Sequence, residues 1–143
     1  MLDERVAVTS PAPLDAVHAV RREVFVEEQG VSERTEFDDL DEAARHFLAA
    51  VDGTDAGTAR VRFVDADTAK IERVAVRREF RHRGVGAAVM EAAHDYARER
   101  GRTRALVHAQ ERVAAFYRSL GYELVGPVES DTDIPHVEMR RSL

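Results

Sequence analysis

The fold of this chain is decided by one stretch, residues 71–87, which reads IERVAVRREFRHRGVGA. Its beginning predicts a strand over Lys70–Val76, and the apolar spacing after Gly84 predicts a helix. Gly84 and Gly86 allow the backbone tight or left-handed conformations. Successive N–H groups can then converge on an anion, and the positive end of the helix adds to the attraction. The stretch therefore predicts a phosphate-binding loop, and the loop gathers the basic residues Arg77, Arg78, Arg81 and Arg83.

Two common phosphate loops are excluded by the residues that they require. A Walker loop needs Gly-Lys-Ser or Gly-Lys-Thr, which this chain lacks. A dinucleotide-binding loop needs a third small residue where Val89 stands, within a parallel strand–helix–strand unit. A basic helix start on the surface is a simpler alternative. The ordered succession of strand, arginine-rich turn, glycines and amphipathic helix disfavours that alternative, so we expect a different phosphate-containing ligand.

The periodicity outside this stretch predicts an α/β sandwich with a mixed sheet. Ahead of the stretch we expect an amphipathic helix over residues 13–28, an acidic irregular segment over 32–45, and an antiparallel meander. Behind it, strands alternate with helices. The predicted strands are Arg5–Thr9, His46–Val51, Ala56–Val64, Lys70–Val76, Ala105–Ala109, Tyr122–Val125 and His136–Arg140, and the later predicted helices run from Gly84 to Gly101 and from Val113 to Leu120.

The composition predicts one globular domain over residues 1–143. The hydrophobic share of 44% and the charged share of 34% are ordinary for a folded protein. The net charge of -6 and the aromatic share of 6% disfavour a nucleic-acid-binding domain built on the arginine cluster. Because cysteine is absent, disulfides and thiolate catalysis are excluded. The start Met1-Leu2-Asp3-Glu4-Arg5 has no basic-then-apolar leader, and no apolar run is long enough to cross a bilayer, so we expect a cytoplasmic protein without a membrane partner.

Two motifs make the chain resemble the GNAT superfamily of acetyl-CoA-dependent N-acetyltransferases. Arg81–Gly86 matches the superfamily motif Arg-x-x-Gly-x-Gly, and Gln110–Gly121, with Tyr122 after it, matches a second one. Within the superfamily the chain looks most like the ElaA/YjcF-type branch, on the residues REVFVEEQ at 22–29, HAQ at 108–110 and IPHVEM at 134–139. The resemblance covers nearly the whole chain. It implies a GNAT fold, with a mixed, mostly antiparallel sheet of about six to seven strands and about four flanking helices, and acetyl-CoA as cosubstrate.

The resemblance also assigns the acetyl-CoA site residue by residue. The main chain of Val74 and Val76 is expected to pair with the pantetheine arm as an added strand. Backbone amides of the loop are expected to hold the pyrophosphate. Gln110 stands where many relatives have an asparagine that contacts the cofactor. The expected cofactor residues are Val74, Val76, Arg81, His82, Arg83, Gly84, Val85, Gly86, Ala87, Gln110 and Phe116.

Tyr117 occupies the position of the superfamily's usual general acid. After an amine attacks the thioester, the departing sulfur needs a proton, and a nearby phenol can donate one. The residues alone favour core packing for Tyr117, because Phe116 and Leu120 share its helix. With the resemblance we expect Tyr117 to be the acid. Its presence also favours an enzyme over the alternative, a non-catalytic acyl-CoA-binding regulatory module.

The base that removes the amine proton has several candidates. Glu72 is the first, because strand alternation places it on the same face as Val74 and Val76. A carboxylate that is merely ion-paired, with an arginine such as Arg60, Arg62 or Arg73, is an equal alternative. His108 and His136 are rival bases, since a neutral imidazole titrates near physiological pH. A water relay would need no single base.

The acceptor is expected to be a small-molecule or peptide carrying a primary amine, which receives the acetyl group directly in a ternary complex. Candidate acceptor contacts are Glu28, His108 and His136. The acidic stretch formed by Glu27-Glu28 and Glu33–Glu42 either attracts a cationic amine or is a solvated loop. We expect no metal, because Asp65-x-Asp67 lacks the glycine and glutamate of a calcium loop. Lys70 is the only lysine in the chain, and exposed sheet edges make a homodimer an open expectation.

Overall fold

The computed structural model describes residues 5–143, so the amino-terminal residues 1–4 lie outside it. It contains one sheet of seven strands in the order β1-β2-β3-β4-β5-β7-β6, and every neighbouring pair is antiparallel except β4 and β5. The predicted fold class is confirmed. The strands are β1 Val6–Thr9, β2 Arg45–Val51, β3 Thr54–Phe63, β4 Thr68–Val76, β5 Arg104–Gln110, β6 Glu123–Val128 and β7 His136–Ser142, and the α-helices are α1 Leu14–Arg21, α2 Glu33–Glu36, α3 Val85–Glu99 and α4 Ala114–Ser119.

Each face of the sheet is covered by one of the long helices. α3 places Val85, Val89, Met90 and Ala93 in the larger hydrophobic core, at the helical spacing that the sequence shows. α1 covers the opposite face with a smaller core built on Val17 and Val20. Apolar burial on both faces holds the central strands between two layers.

The first helix differs from the prediction over residues 13–28. α1 ends at Arg21, and Arg22–Glu28 continues as a π-helix. The wider turn is visible in the backbone hydrogen bond from Gln29 N to Val24 O, which spans five residues at 3.2 Å. Apolar spacing cannot distinguish a π segment from an α-helix over two turns. Such segments re-aim side chains and are frequent at functional sites.

A β-bulge interrupts β4 at Arg73. Thr58 of β3 lies opposite Ala75, and Arg60 lies opposite Glu72, so one residue of β3 faces two residues of β4. Arg73 absorbs the extra residue with a φ of 54°. The bulge reverses the alternation along the strand. Ile71, Val74 and Val76 therefore lie against the α3 core, and Ala75 lies against the α1 core. The prediction that Glu72 shares a face with Val74 and Val76 is wrong, because it assumed unbroken alternation.

β4 and β5 separate soon after they meet. Their parallel pairing covers only Thr68–Lys70 against Arg104–Leu106. Beyond that, β4 pairs only with β3, while β5 pairs with β7 along its whole length. The bulge bends β4 and increases its twist at the same place. The result is a split in the middle of the sheet, bordered by strand edges whose backbone groups do not pair with each other.

Within residues 5–143, no helix is both long and apolar enough to span a membrane.

Candidate active site

The split between β4 and β5 opens into a groove of about 1030 Å³. The groove runs through the sheet, because its lining residues come from both faces. On the α3 side it is lined by the loop before α3 and by α4. On the other side it is lined by polar side chains of β3, β4, β5 and β7. The predicted site residues that line the groove are Glu72, Val74, Val76, Arg81, His82, Gly84, Val85, Gly86, Ala87, His108, Gln110, Phe116, Tyr117 and His136.

The loop before α3 is shaped to hold an anion. His82 has a φ of 64° and Gly84 a φ of 80°, so the chain turns through two left-handed residues into the helix. Gly84 is the N-cap and no side chain caps the helix. The first intrahelical bond runs from Ala88 N to Gly84 O at 3.0 Å, so the N–H groups of residues 85–87 have no acceptor within the helix. No acidic residue lies in the first turn, and the helix dipole favours a negative ligand there.

Gly86 brings the start of α3 against α4. A Cβ atom added at Gly86 would lie 3.1 Å from the Phe116 ring, which is closer than ordinary packing permits. Phe116 therefore forms a wall of the groove beside the loop. The second glycine of the motif serves this close approach, whereas the first serves the left-handed turn.

Arg81 and Glu28 are paired with each other. Arg81 donates from Nη1 and Nη2 to the two carboxylate oxygens of Glu28, each at 2.7 Å, and from Nε to the carbonyl of Val76 at 2.9 Å. The hydrogen bond from Arg81 is the largest cause that lowers the pKa of Glu28. Arg81 is expected to add charge at the pyrophosphate, and Glu28 to contact the acceptor. In the structure, both side chains fix the end of the π-helix against the loop.

Two other expected cofactor residues have partners of their own. The Arg83 guanidinium lies 5.5 Å from the centre of the Phe80 ring. Gln110 donates to the side-chain oxygen of Gln29 at 2.8 Å and accepts from Arg112 at 3.0 Å. Gln29 follows the predicted helix over residues 13–28 and was not among the expected site residues. Its contact with a residue 81 positions away has no signal in the local sequence.

Tyr117 lies at the inner end of the groove and is 6% exposed. Its ring makes edge-to-face contacts with Phe116 and Tyr122 at centroid distances of 5.0 and 5.7 Å. Burial raises the pKa of the Tyr117 hydroxyl well above its ordinary value, so the phenol keeps its proton. Tyr117 is therefore packed in the core and also lines the groove, so the two expected positions coincide.

The ring of Tyr122 packs against Tyr117, and its hydroxyl is hydrogen-bonded to His94. The Tyr122 hydroxyl and His94 Nε2 are 2.6 Å apart, and both side chains are buried. Burial lowers the pKa of His94 to about 4, so the imidazole is neutral and accepts from the phenol. His94 is not among the predicted site residues, since a histidine on an apolar helix face gives no signal of its partner.

Glu72 is held by three cations. Its carboxylate accepts hydrogen bonds from Arg60 and Arg62, and the Lys70 Nζ lies 3.5 Å away. Burial by itself would raise the pKa of Glu72, but the hydrogen bond from Arg62 and the three positive charges outweigh it and lower the pKa. A carboxylate stabilised in its ionised form is a weak base.

The two candidate histidines lie on the same polar face as Glu72. His108 Nε2 is 3.1 Å from the carboxylate of Glu138, directly across the β5–β7 pair. His136 Nδ1 lies 2.6 Å from the carbonyl of Ile134. Because a carbonyl only accepts, Nδ1 carries the proton, and the lone pair of a neutral His136 is then on Nε2.

Three carboxylates of the acidic segment, Glu36, Asp38 and Asp41, are paired with buried arginines. Glu36 and Asp41 accept hydrogen bonds from the fully buried Arg21, and Asp38 and Asp41 accept from the fully buried Arg60. Burial raises the pKa of Glu36 despite its arginine partners, while the arginine hydrogen bonds lower the pKa of Asp41 well below its usual range. This part of the segment is neither a solvated loop nor a free acidic surface.

With this geometry established, comparison with known proteins identifies the family. A model of the Acetyltransferase (GNAT) family matches residues 14–122. The chain belongs to this family. Its activity is therefore acetyl transfer from acetyl-CoA, and the enzyme is an N-acetyltransferase.

Individual relatives support the predicted branch. The chain is 35% identical to YyaT of Bacillus subtilis (strain 168), over 95% of this chain and 93% of YyaT. It is 33% identical to YjcF of the same organism, described as an uncharacterized N-acetyltransferase, over 85% of this chain and 87% of YjcF. The crystal structure of Escherichia coli ElaA superposes with a TM-score of 0.80 at 24% identity, over 96% of this chain and 99% of ElaA, and shows the same fold. The resemblance to the ElaA/YjcF-type branch is confirmed.

Gly84→Val tests the anion-binding loop. Because Gly84 has a φ of 80° and open space around its Cα, valine would act by forcing the loop out of its left-handed turn, at a cost of about 1–2 kcal/mol. We expect the dissociation constant for acetyl-CoA to rise at least about tenfold, measured by calorimetry and by loss of the ligand-induced shift in Tm. Gly101→Val is the matched control, since Gly101 has a φ of 79° and equal space at the opposite end of α3. Unchanged affinity in the Gly84 variant would contradict the loop assignment.

Glu28→Gln and Arg81→Met separate two roles for Arg81. If Arg81 fixes the loop through Glu28, both variants loosen the loop, and both weaken acetyl-CoA binding by a few-fold. If Arg81 instead binds the pyrophosphate directly, removing the carboxylate of Glu28 releases its charge and strengthens binding. We expect the first result, measured as dissociation constants at low and at physiological salt. Tighter binding of acetyl-CoA by the Glu28→Gln variant would instead support direct binding of the pyrophosphate by Arg81.

Proposed function

We propose that acetyl-CoA and a primary amine enter the groove from opposite faces of the sheet and that the acetyl group passes directly between them. The observation that supports this most strongly is the split between β4 and β5. It joins an anion-binding loop on the α3 side to a polar, ionisable surface on the other side. A direct transfer needs such a passage, because both reactants must meet at one carbon atom.

The residues around the split suit acetyl-CoA. The backbone amides of residues 82–87 would hold the pyrophosphate, with Phe116 as the neighbouring wall. The edge of β4 beyond Lys70 is unpaired on the β5 side, and an extended amide-containing chain can pair with such an edge. Val74 and Val76 lie on this edge. These assignments explain why the motif combines a strand, a left-handed turn and a helix start.

Acetyl-CoA supplies an activated thioester, so a carbon–nitrogen bond forms while a carbon–sulfur bond breaks. The amine must lose a proton and the departing sulfur must gain one. Tyr117 is the proposed acid, because burial keeps its hydroxyl protonated. No hydrogen bond engages that hydroxyl within residues 5–143, which leaves its proton available in the groove.

His136 is the proposed base. The carbonyl of Ile134 fixes its proton on Nδ1, which leaves Nε2 to accept a proton from the amine, directly or through water. Glu72 is less suited, since its carboxylate is stabilised by Arg60, Arg62 and Lys70 and lies on the other face from Val74. His108 is the second imidazole candidate, with Glu138 at its Nε2.

A homodimer and a cytoplasmic location complete the proposal. β6 is an edge strand, and it exposes Leu124 and Val125 by 49% and 59%. Pairing of two such edges would cover these side chains. The proposed cytoplasmic location rests on the sequence alone.

Tyr117→Phe tests the general acid. The substitution keeps the ring contacts with Phe116 and Tyr122 and removes only the hydroxyl. We expect unchanged acetyl-CoA affinity and a fall in kcat of roughly 100-fold, measured by thiol release with a panel of amines. Phe116→Leu, which alters the wall without removing an acid, should change the KM for acetyl-CoA instead. An unchanged kcat in the Tyr117 variant would remove this residue as the acid.

The pH dependence of kcat/KM tests the base. A base must be deprotonated to act, so the rate falls as the pH drops through its pKa. An imidazole base gives an acid limb between about pH 5 and 8. If Glu72 were the base, its lowered pKa would keep the rate flat to a pH below the ordinary range of a glutamate carboxyl. We expect the unmodified enzyme to show the acid limb of an imidazole base. The limb should disappear in His136→Gln and remain in His108→Gln. Retention in both variants would point to a water relay.

A further inference from the structure

Arg62 and Lys70 stand out among the charged side chains of the groove. In the ion cluster beneath the groove, five cations share four carboxylates: Arg21, Arg60, Arg62, Lys70 and Arg73 against Glu36, Asp38, Asp41 and Glu72. The cluster therefore carries at least one uncompensated positive charge within the part of the chain that the structure describes.

The pattern of ion pairs shows which side chains carry the excess positive charge. Arg21 and Arg60 are buried, and each contacts two or more carboxylates. Arg73 contacts Glu36 and Asp38. By contrast, Glu72 is the only ion-pair partner of Arg62 and of Lys70 among residues 5–143, and Arg60 already shares it. The surplus positive charge therefore lies on Arg62 and Lys70.

Both side chains reach the groove. Arg62 is 28% and Lys70 19% exposed at the side chain, and both line the cavity on its polar face. Lys70 is the last residue of β4 that pairs with β5, opposite Leu106, so it stands where the split begins. Its ammonium group has three donors and one carboxylate oxygen at 3.5 Å. A partly desolvated ammonium with so few acceptors favours an anion from a ligand.

We propose that Arg62 and Lys70 bind an anionic oxygen group of the acceptor, so that the acceptor is an amine that also carries a carboxylate or a phosphate. This rests on the proposed function, since it assumes that the amine enters from the polar face. Arg62 suits the task because its guanidinium pairs with planar or tetrahedral oxyanions through two N–H groups. Lys70 adds a compact charge beside it.

The test compares matched acceptors that differ in one anionic group. Glycine is paired with glycinamide, and O-phosphoethanolamine with ethanolamine, in the thiol-release assay with acetyl-CoA. We expect kcat/KM to be at least about tenfold higher for one anionic member over its neutral partner, and the pair that responds distinguishes carboxylate from phosphate. Equal rates within both pairs would overturn the inference. Preference for a diamine would also overturn the inference, and it would favour the carboxylates Glu129 and Asp131, which line the groove as well.

Variants then connect the preference to the two residues. Lys70→Met and Arg62→Met should each lower kcat/KM for the anionic acceptor by about tenfold or more, with the neutral acceptor and the KM for acetyl-CoA within about twofold. Lys70→Arg keeps the charge and should retain the preference. Arg98→Gln, an exposed charge on α3 paired with Asp95, controls for a general loss of positive charge. Thermal melts confirm folding of each variant, and equal losses for both acceptors would contradict the inference.

A binding measurement separates this inference from the proposed function. N-acetylglycine and N-methylacetamide are titrated into the complex of the enzyme with CoA by calorimetry. We expect the carboxylate compound alone to bind, and more weakly in Lys70→Met. Failure of both compounds, with CoA still bound, overturns the anion site and leaves the cofactor site intact. Failure of acetyl-CoA itself to bind or to raise the Tm would instead overturn the proposed function.

Discussion

The short pairing between β4 and β5 is the constraint on which the site depends. Three residues of each strand form the parallel ladder, and the strands then diverge because β4 follows β3 while β5 follows β7. The bulge at Arg73 makes the divergence possible, since it bends β4 and exchanges the faces that its later residues occupy. A regular, fully paired sheet would bury its backbone groups in ladder hydrogen bonds and leave no edge for a ligand. The catalytic groove is therefore a consequence of an incomplete sheet.

An ion cluster supports the polar side of this split. Arg21 and Arg60 are each 1% exposed, and burial of a charge is tolerated only when partners and hydrogen bonds satisfy it. The acidic segment after the π-helix provides those partners. Glu36, Asp38 and Asp41 of that segment therefore hold the polar side of the groove in place. In the proposed acceptor site, the remaining positive charge of the cluster lies on Arg62 and Lys70.

The apolar side of the split is organised around aromatic rings. Phe116, Tyr117 and Tyr122 pack edge to face, and a hydrogen bond joins the buried polar groups of Tyr122 and His94. Burial that stabilises this cluster also keeps the Tyr117 hydroxyl protonated. Core packing and acid catalysis are therefore compatible uses of one side chain, because both depend on exclusion of water.

The sequence by itself determined the fold class, the seven or so strands, the loop at residues 81–87 and the likeness to the family, because periodicity, glycines and short motifs are local signals. Single-domain organisation and the catalytic roles stay predictions. The tertiary structure alone decided the face of Glu72, the π-helix at Arg22–Glu28, the pairing of Arg81 with Glu28 and the charge balance beneath the groove. These depend on a one-residue bulge and on contacts between positions far apart in the chain, such as residues 28 and 81 or 21 and 41. A linear pattern assumes regular geometry and carries no record of which distant charges meet, so only the folded chain could settle them.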